Sequence, residues 1–249
     1  MGREAAEALS GIKFNESIEK KKPWNPTDKR FVCFLDIMGF KDLVMRNSHD
    51  EIYEMLMKLS KHRTSLESEN LPSKYADSLK TVSFSDSIVI FTKDNSIASF
   101  DLLTFAVSWL FAKAMEDGIP MKGAIAFGDM SINISRQIFF GQPLIDAYLL
   151  EEDVAFYGIV VHNTAEKFIN DNQNSTFKNR YIDTLIPLKS GKINHLVLDW
   201  VISLADEKEV NIRETALNLM KKQREKTSGS PRKYIDNTIE IIEKTHSKK

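Results

Sequence analysis

Cysteine is almost missing from this chain of 249 residues. The one thiol, Cys33, lies inside an apolar run, so no disulfide can form within one chain and a reducing cytoplasm is the expected compartment. Those apolar surroundings raise a thiol pKa, which argues against a nucleophile. An excess of either charge is also missing. Thirty-four Lys and Arg against 35 Asp and Glu leave a net charge of −1. No global basic field points to nucleic acid or to an anionic membrane surface, and the lysines clustered at both ends read as solvated termini. Long apolar runs are lacking as well. The opening MGREAAEALSG has no hydrophobic core of a secretory signal. The longest apolar stretch, Leu102 to Ala112, is about half the ~20 residues that cross a bilayer. A soluble cytoplasmic protein without membrane or nucleic-acid partners is expected. No internal repeat or low-complexity segment occurs.

The composition is 42% hydrophobic and 28% charged, which suits one large globular domain with an appended segment. Residues 1–29 are polar, rich in lysine and closed by Pro23 and Pro26, an N-terminal arm. Phe31 to Asp36 reads as a central strand buried on both faces. Ile52, Met55, Leu56 and Leu59 follow at helical spacing, and Ser65 to Asp77 reads as a loop. Thr81 to Thr92 predicts a hairpin that turns at Ser85-Asp86-Ser87. Ile97 to Ala114 predicts an amphipathic helix, Met121 to Phe127 a strand, and Gly141 to Glu152 a helix. Phe156 to His162 predicts a strand, Asn163 caps a helix to Asn170, and His195 to Trp200 is a last strand. Residues 201–249 predict two charged helices separated by Gly229 and Pro231. The order β-α-β-β-α-β predicts an α+β, ferredoxin-like sheet with helices on one face and a C-terminal helical extension.

Two carboxylates stand out in this pattern. Asp36 closes the first strand in FVCFLDIMGF, and Asp86 breaks the hairpin in TVSFSDSIVIF. A carboxylate at the end of a buried strand is costly unless it is paired or holds a cation. A split β-α-β arrangement makes the first strand and the hairpin neighbours, so both aspartates converge on one end of the sheet. Paired carboxylates can hold divalent metal over a nucleoside triphosphate, whose charge they would otherwise repel. The turn Ile37-Met38-Gly39-Phe40 offers backbone N–H groups beside a helix start, where Gly39 permits close approach by phosphate.

FLDIMGFKDL resembles the F-x-D-I-x-G-F opening of class III nucleotidyl cyclases. SFSDSIVIF resembles their hairpin, MKGAIAFGDM their fourth strand and turn, and FFGQPLIDAYLLEE a later helix, in the family's order from about Arg30 to Asn170. The resemblance implies a class III cyclase catalytic domain over residues 30–200. It implies Asp36, the Ile37 carbonyl and Asp86 as ligands of two Mn²⁺ or Mg²⁺ ions per site, with Asp36 and Asp86 as catalytic residues. It also implies attack of the ribose 3′-hydroxyl on the α-phosphate, expelling diphosphate, in active sites at a homodimer interface. Phe31, Gly39, Phe40 and Lys122 are the expected nucleotide-binding residues, with Phe84 a second candidate to stack on the base.

This chain departs from the family pattern in several places. Val82 stands where purine-specific members carry a base-reading lysine, and Lys80 reaches that place only with a shift of register. Ile145 and Leu149 occupy the positions of the family's transition-state asparagine and arginine. The segments FGQPLIDAYLLEE, VVHNTAEKF and PRKYID look more like the bacterial pyrimidine cyclases of Pycsar anti-phage systems. That likeness implies conversion of UTP, or CTP, to a cyclic monophosphate that signals to a separate effector protein. Purine cyclase activity, or nucleotide binding without turnover, are the alternatives. Arg136 is a further candidate for the triphosphate and Asp146 for a base amino group. His162 reads as a residue of a helix cap.

Overall fold

The computed structural model of the chain describes residues 23–67, 77–172, 176–204 and 211–247. Most of the expected arm, 1–29, and most of the expected 65–77 loop lie outside the described residues. The first strand, Thr27–Ile37 (β1), is longer than its apolar centre. Its side chains alternate between faces: Phe31, Cys33, Leu35 and Ile37 enter the main core, while Val32 and Phe34 join smaller apolar clusters opposite. A continuous apolar run thus reflects burial on both sides.

The chain continues through Phe40–Arg46 (α1), His49–Glu67 (α2), Leu79–Phe84 (β2), Ser87–Thr92 (β3), Ile97–Glu116 (α3) and Met121–Asn133 (β4). The strands lie in the order β2-β3-β1-β4, every neighbour antiparallel. This is the ferredoxin-like order that the sequence predicts. Helices α2 and α3 cover the face of β1 that carries Phe31 and Leu35. Helix α3 is long and apolar enough to cross a membrane by length and composition, yet 89% of its most apolar window is buried in this fold. Its polar side chains find partners there: Thr104 bonds the Tyr181 hydroxyl at 2.8 Å, and Asp101 accepts from Thr176 Oγ1 at 2.5 Å.

Beyond this unit come Ile138–Gly141 (β5), Gln142–Asp153 (α4), Ile159–Val161 (β6), Asn163–Asp171 (α5), Tyr181–Leu188 (β7), Gly191–Leu198 (β8), Ile212–Glu225 (α6) and Arg232–Thr245 (α7). Strand β6 adds parallel to β4, and β8 and β7 extend the sheet to its edge. The sequence reading passes over β7, where Pro187 weakens the strand pattern; an edge strand tolerates that proline. Helix α4 lies across the second face of the sheet, where Ala147 meets Ala124 and Ala126. The helical extension is built into the body, since Ala216, Met220, Ile235 and Ile242 enter the main core. Asn163, read as a cap, is instead the first residue of α5, and His162 is the cap residue: its Nδ1 accepts from the Thr164 N–H.

Gly123 marks the closest approach in the sheet. A Cβ there would stand 2.5 Å from Leu35 Cδ2 and 2.6 Å from the Phe34 carbonyl oxygen. Backbone cannot yield as a side-chain tip can, so Gly123→Ala is expected to destabilise the protein by about 1–3 kcal/mol, seen as a lower urea midpoint at unchanged slope.

Candidate active site

The backbones of the two aspartates lie side by side at one end of the sheet. Asp36, near the end of β1, is in register with Ser87 of β3 and with Lys122 of β4. Asp86 lies in the two-residue turn between β2 and β3, where Ser85 takes the left-handed conformation, φ 57°. The Ile37 N–H donates to the Asp86 carbonyl at 3.0 Å, which ties the turn to the end of β1. The electrostatics report the same neighbourhood. Burial first, then the carboxylates of Glu151 and Asp86, push the Asp36 carboxyl up to about 7, against the opposing pull of Lys122 and Ser87. Its hydrogen bond from Ser87 Oγ is long, at 3.5 Å.

A half-buried carboxylate held in this way by acidic neighbours fits a divalent cation. Asp36, Asp86 and the Ile37 carbonyl would present oxygen only, the donor set of a hard ion such as Mg²⁺ or Mn²⁺. Among the described residues, no group of three or more His, Cys, Asp or Glu side chains is placed to hold a metal ion. Any cation here therefore relies on two carboxylates and backbone.

Gly39 follows directly. It has φ 69° and precedes α1, its carbonyl accepting from the Leu43 N–H at 3.0 Å, while the Met38 N–H bonds Pro120. The α1 start has no side-chain cap, so its first N–H groups have no partner from a capping side chain. Phe40 is partly buried and packs on the main core.

Other expected site residues are engaged within the protein or lie away from Asp36. Lys122, expected at the triphosphate, is buried. Its ammonium pairs with Glu151 Oε1 at 3.0 Å and donates to the carbonyls of Glu151 at 2.8 Å and Glu152 at 3.3 Å. It thus fastens the last turn of α4 to the sheet, where a cation suits the helix dipole. Phe31 is fully buried against Phe100, Phe127 and Phe168 and is not open to a base. Phe84, by contrast, is 84% exposed at the hairpin tip. Arg136 lies in the turn at the far end of β4 from Lys122. Asp146 accepts from Gln142 at 2.7 Å and faces His162 at 3.9 Å. Lys80 is held by Asp77 at 2.7 Å and lies over the Trp24 ring.

The sequence reading missed two neighbours of Asp36. Glu151 is hidden in an ordinary acidic helix end, and only its pairing with Lys122 brings it in. Tyr148 lies edge-on to Phe34 at 5.4 Å. Two concavities flank the hairpin tip. A cavity of about 240 Å³ opens beside α2 and is lined by Ile37, Tyr53, Arg63 and Asp86 among others. A shallower apolar groove of about 380 Å³ lies towards α4, lined by Phe34, Val82, Phe84, Val89, Ile145 and Tyr148 with others.

No protein-family description and no curated protein matches this chain. Among solved structures it is similar to a class III adenylyl cyclase-like ATP-binding protein from Pseudomonas aeruginosa, at 14% identity and a TM-score of 0.43. That likeness covers 82% of this chain and 48% of the other, so this chain spans about half the length of the structure it matches.

Proposed function

We propose that this protein is a metal-dependent nucleotidyl cyclase acting on a pyrimidine nucleoside triphosphate, with UTP ahead of CTP. The observation that carries the reading is the Asp36–Asp86 pair, joined through the Ile37 N–H at 3.0 Å, with the Asp36 carboxyl pushed up to about 7. Carboxylates drawn partly out of water with no use only cost stability, so two of them at one end of the sheet speak for cation binding. Asp36, Asp86 and the Ile37 carbonyl would hold two divalent cations, which supply neutralisation of the triphosphate and a lowered pKa of the 3′-hydroxyl. The Gly39–Phe40 turn would position the phosphates. In the reaction the 3′-hydroxyl releases its proton to solvent as its oxygen bonds the α-phosphorus, the bond from that phosphorus to the oxygen bridging the β-phosphate breaks, and diphosphate leaves with that electron pair.

Pyrimidine preference is supported by the lack of a purine-reading cation on β2. Val82 is apolar, and Lys80 is committed to Asp77. A homodimer with sites at its interface is supported by the exposed apolar residues Phe84, Ile145 and Leu149, at 84%, 52% and 56% exposure. The cyclic product would act as a messenger to a separate effector in bacterial anti-phage defence. The second reading, nucleotide binding without turnover, is favoured by Ile145 and Leu149, which cannot donate a hydrogen bond to a transition state.

Incubation with each of the four labelled nucleoside triphosphates and Mn²⁺ tests both. The expected result is a 3′,5′-cyclic pyrimidine monophosphate and diphosphate in equal amounts. Cyclic product from a purine alone would overturn the specificity, and binding with no cyclic product from any nucleotide would overturn the enzyme.

A further inference from the structure

The cavity beside α2 has a chemistry of its own. Leu56, Leu59, Ile37 and Ile88 form apolar walls, and Tyr53 stands at the mouth, 59% exposed. One cation lines the space. Arg63 Nη1 donates to Ser83 Oγ at 2.5 Å, which fixes the guanidinium at the β2 side. Among the described residues Arg63 makes no ion pair, although Asp86 lines the same cavity. Ser60 and Ser85 add hydroxyls. At about 240 Å³ the space falls below the ~300–1,000 Å³ of sites for drug-sized ligands, and one guanidinium cannot balance a triphosphate.

We propose that this cavity binds a small organic carboxylate with a compact apolar body, its carboxylate on Arg63 and its body over Leu56, Leu59 and Ile88, and that the occupant clamps the Asp86 hairpin to α2. An apolar wall with a single guanidinium at one end selects an amphipathic anion over a neutral molecule of the same shape. Asp86 repels a second anion, which directs the carboxylate to the Arg63 end. Ser83, Ser85 and Asp86 all belong to the hairpin, so a ligand that spans from α2 to these residues restrains the turn. The value of that restraint for nucleotide turnover rests on the cyclase reading; ligand binding and hairpin ordering do not.

Hexanoate and its neutral counterpart hexanamide, titrated calorimetrically into the full chain, test the site. Hexanoate should bind roughly tenfold or more tightly than hexanamide, and Arg63→Gln should bring it down to the hexanamide level. Met57→Trp, at the mouth, should weaken both, with thermal melting as the check on folding. Hydrogen exchange at amides 83–88 should slow when hexanoate is bound. Equal affinity of the two probes, no binding of either, an unchanged Arg63→Gln titration or unaltered exchange would each overturn the proposal. Nucleotide binding to the same preparation, without hexanoate, judges the cyclase reading separately.

Discussion

Asp36→Asn is expected to abolish cyclase turnover and, in the same protein freed of metal, to raise stability at alkaline pH. The first effect follows from the loss of a charged ligand at the proposed cation site. Several kcal/mol of transition-state stabilisation go with it, about a thousandfold in rate, and Asp86→Ala should match it. The second follows from the carboxyl itself, pushed from 3.8 up to about 7 by burial and by Glu151 and Asp86. Between those values the folded protein keeps a proton that the unfolded chain has released, so stability falls as pH rises through this window. The penalty is complete above pH 7 and absent well below pH 4. Solvent screens this half-buried group, and about 1 kcal/mol is a reasonable scale for the penalty, a shift of roughly 2–4 °C in Tm. Melting curves in EDTA at pH 5 and pH 8 give the check. The variant should gain at pH 8 and much less at pH 5, while added Mn²⁺ should stabilise the wild type alone. A variant no more stable than wild type at pH 8 would remove the physical basis of the metal site; a stabilised variant with full turnover would remove only its catalytic role.

The largest structural loss is expected at Lys122. Lys122→Ala leaves the Glu151 carboxylate, whose side chain is 4% exposed, without its counter-charge, and releases two carbonyls at the end of α4. Breaking a buried pair by removing one partner costs about 3–5 kcal/mol. It also changes the field at Asp36, since Lys122 draws its pKa down while Glu151 pushes it up. The double variant Lys122→Met with Glu151→Leu removes both charges and should recover most of the loss, as similar apolar volume replaces the pair. Urea unfolding of the three proteins measures the coupling. A loss below about 1 kcal/mol in Lys122→Ala would mean that the ammonium is solvated, and a nucleotide role for it would return.

Much of the fold can be read along the chain because it depends on local patterns. The continuous apolar run of β1, the break at Ser85-Asp86 and the run of α3 mark strand, turn and helix directly, and their order limits the topology to few choices. The same order predicted that Asp36 and Asp86 meet, since a hairpin placed against the first strand admits little else. Phe31 and Lys122 show where this reading stops. An aromatic residue and a lysine on apolar strands look alike whether they face a ligand or a neighbouring helix. Which face is covered depends on α4 and α5, distant in sequence, and on Glu151, whose charge meets Lys122 only after α4 crosses the sheet. Burial and charge pairing are sums over contacts made by remote segments. The sequence by itself therefore determined the order of the first four strands and the two carboxylates at their end. Only the tertiary structure decided that Lys122 holds α4 rather than phosphate, that Phe31 is core, and that Arg63 faces a cavity shared with Asp86.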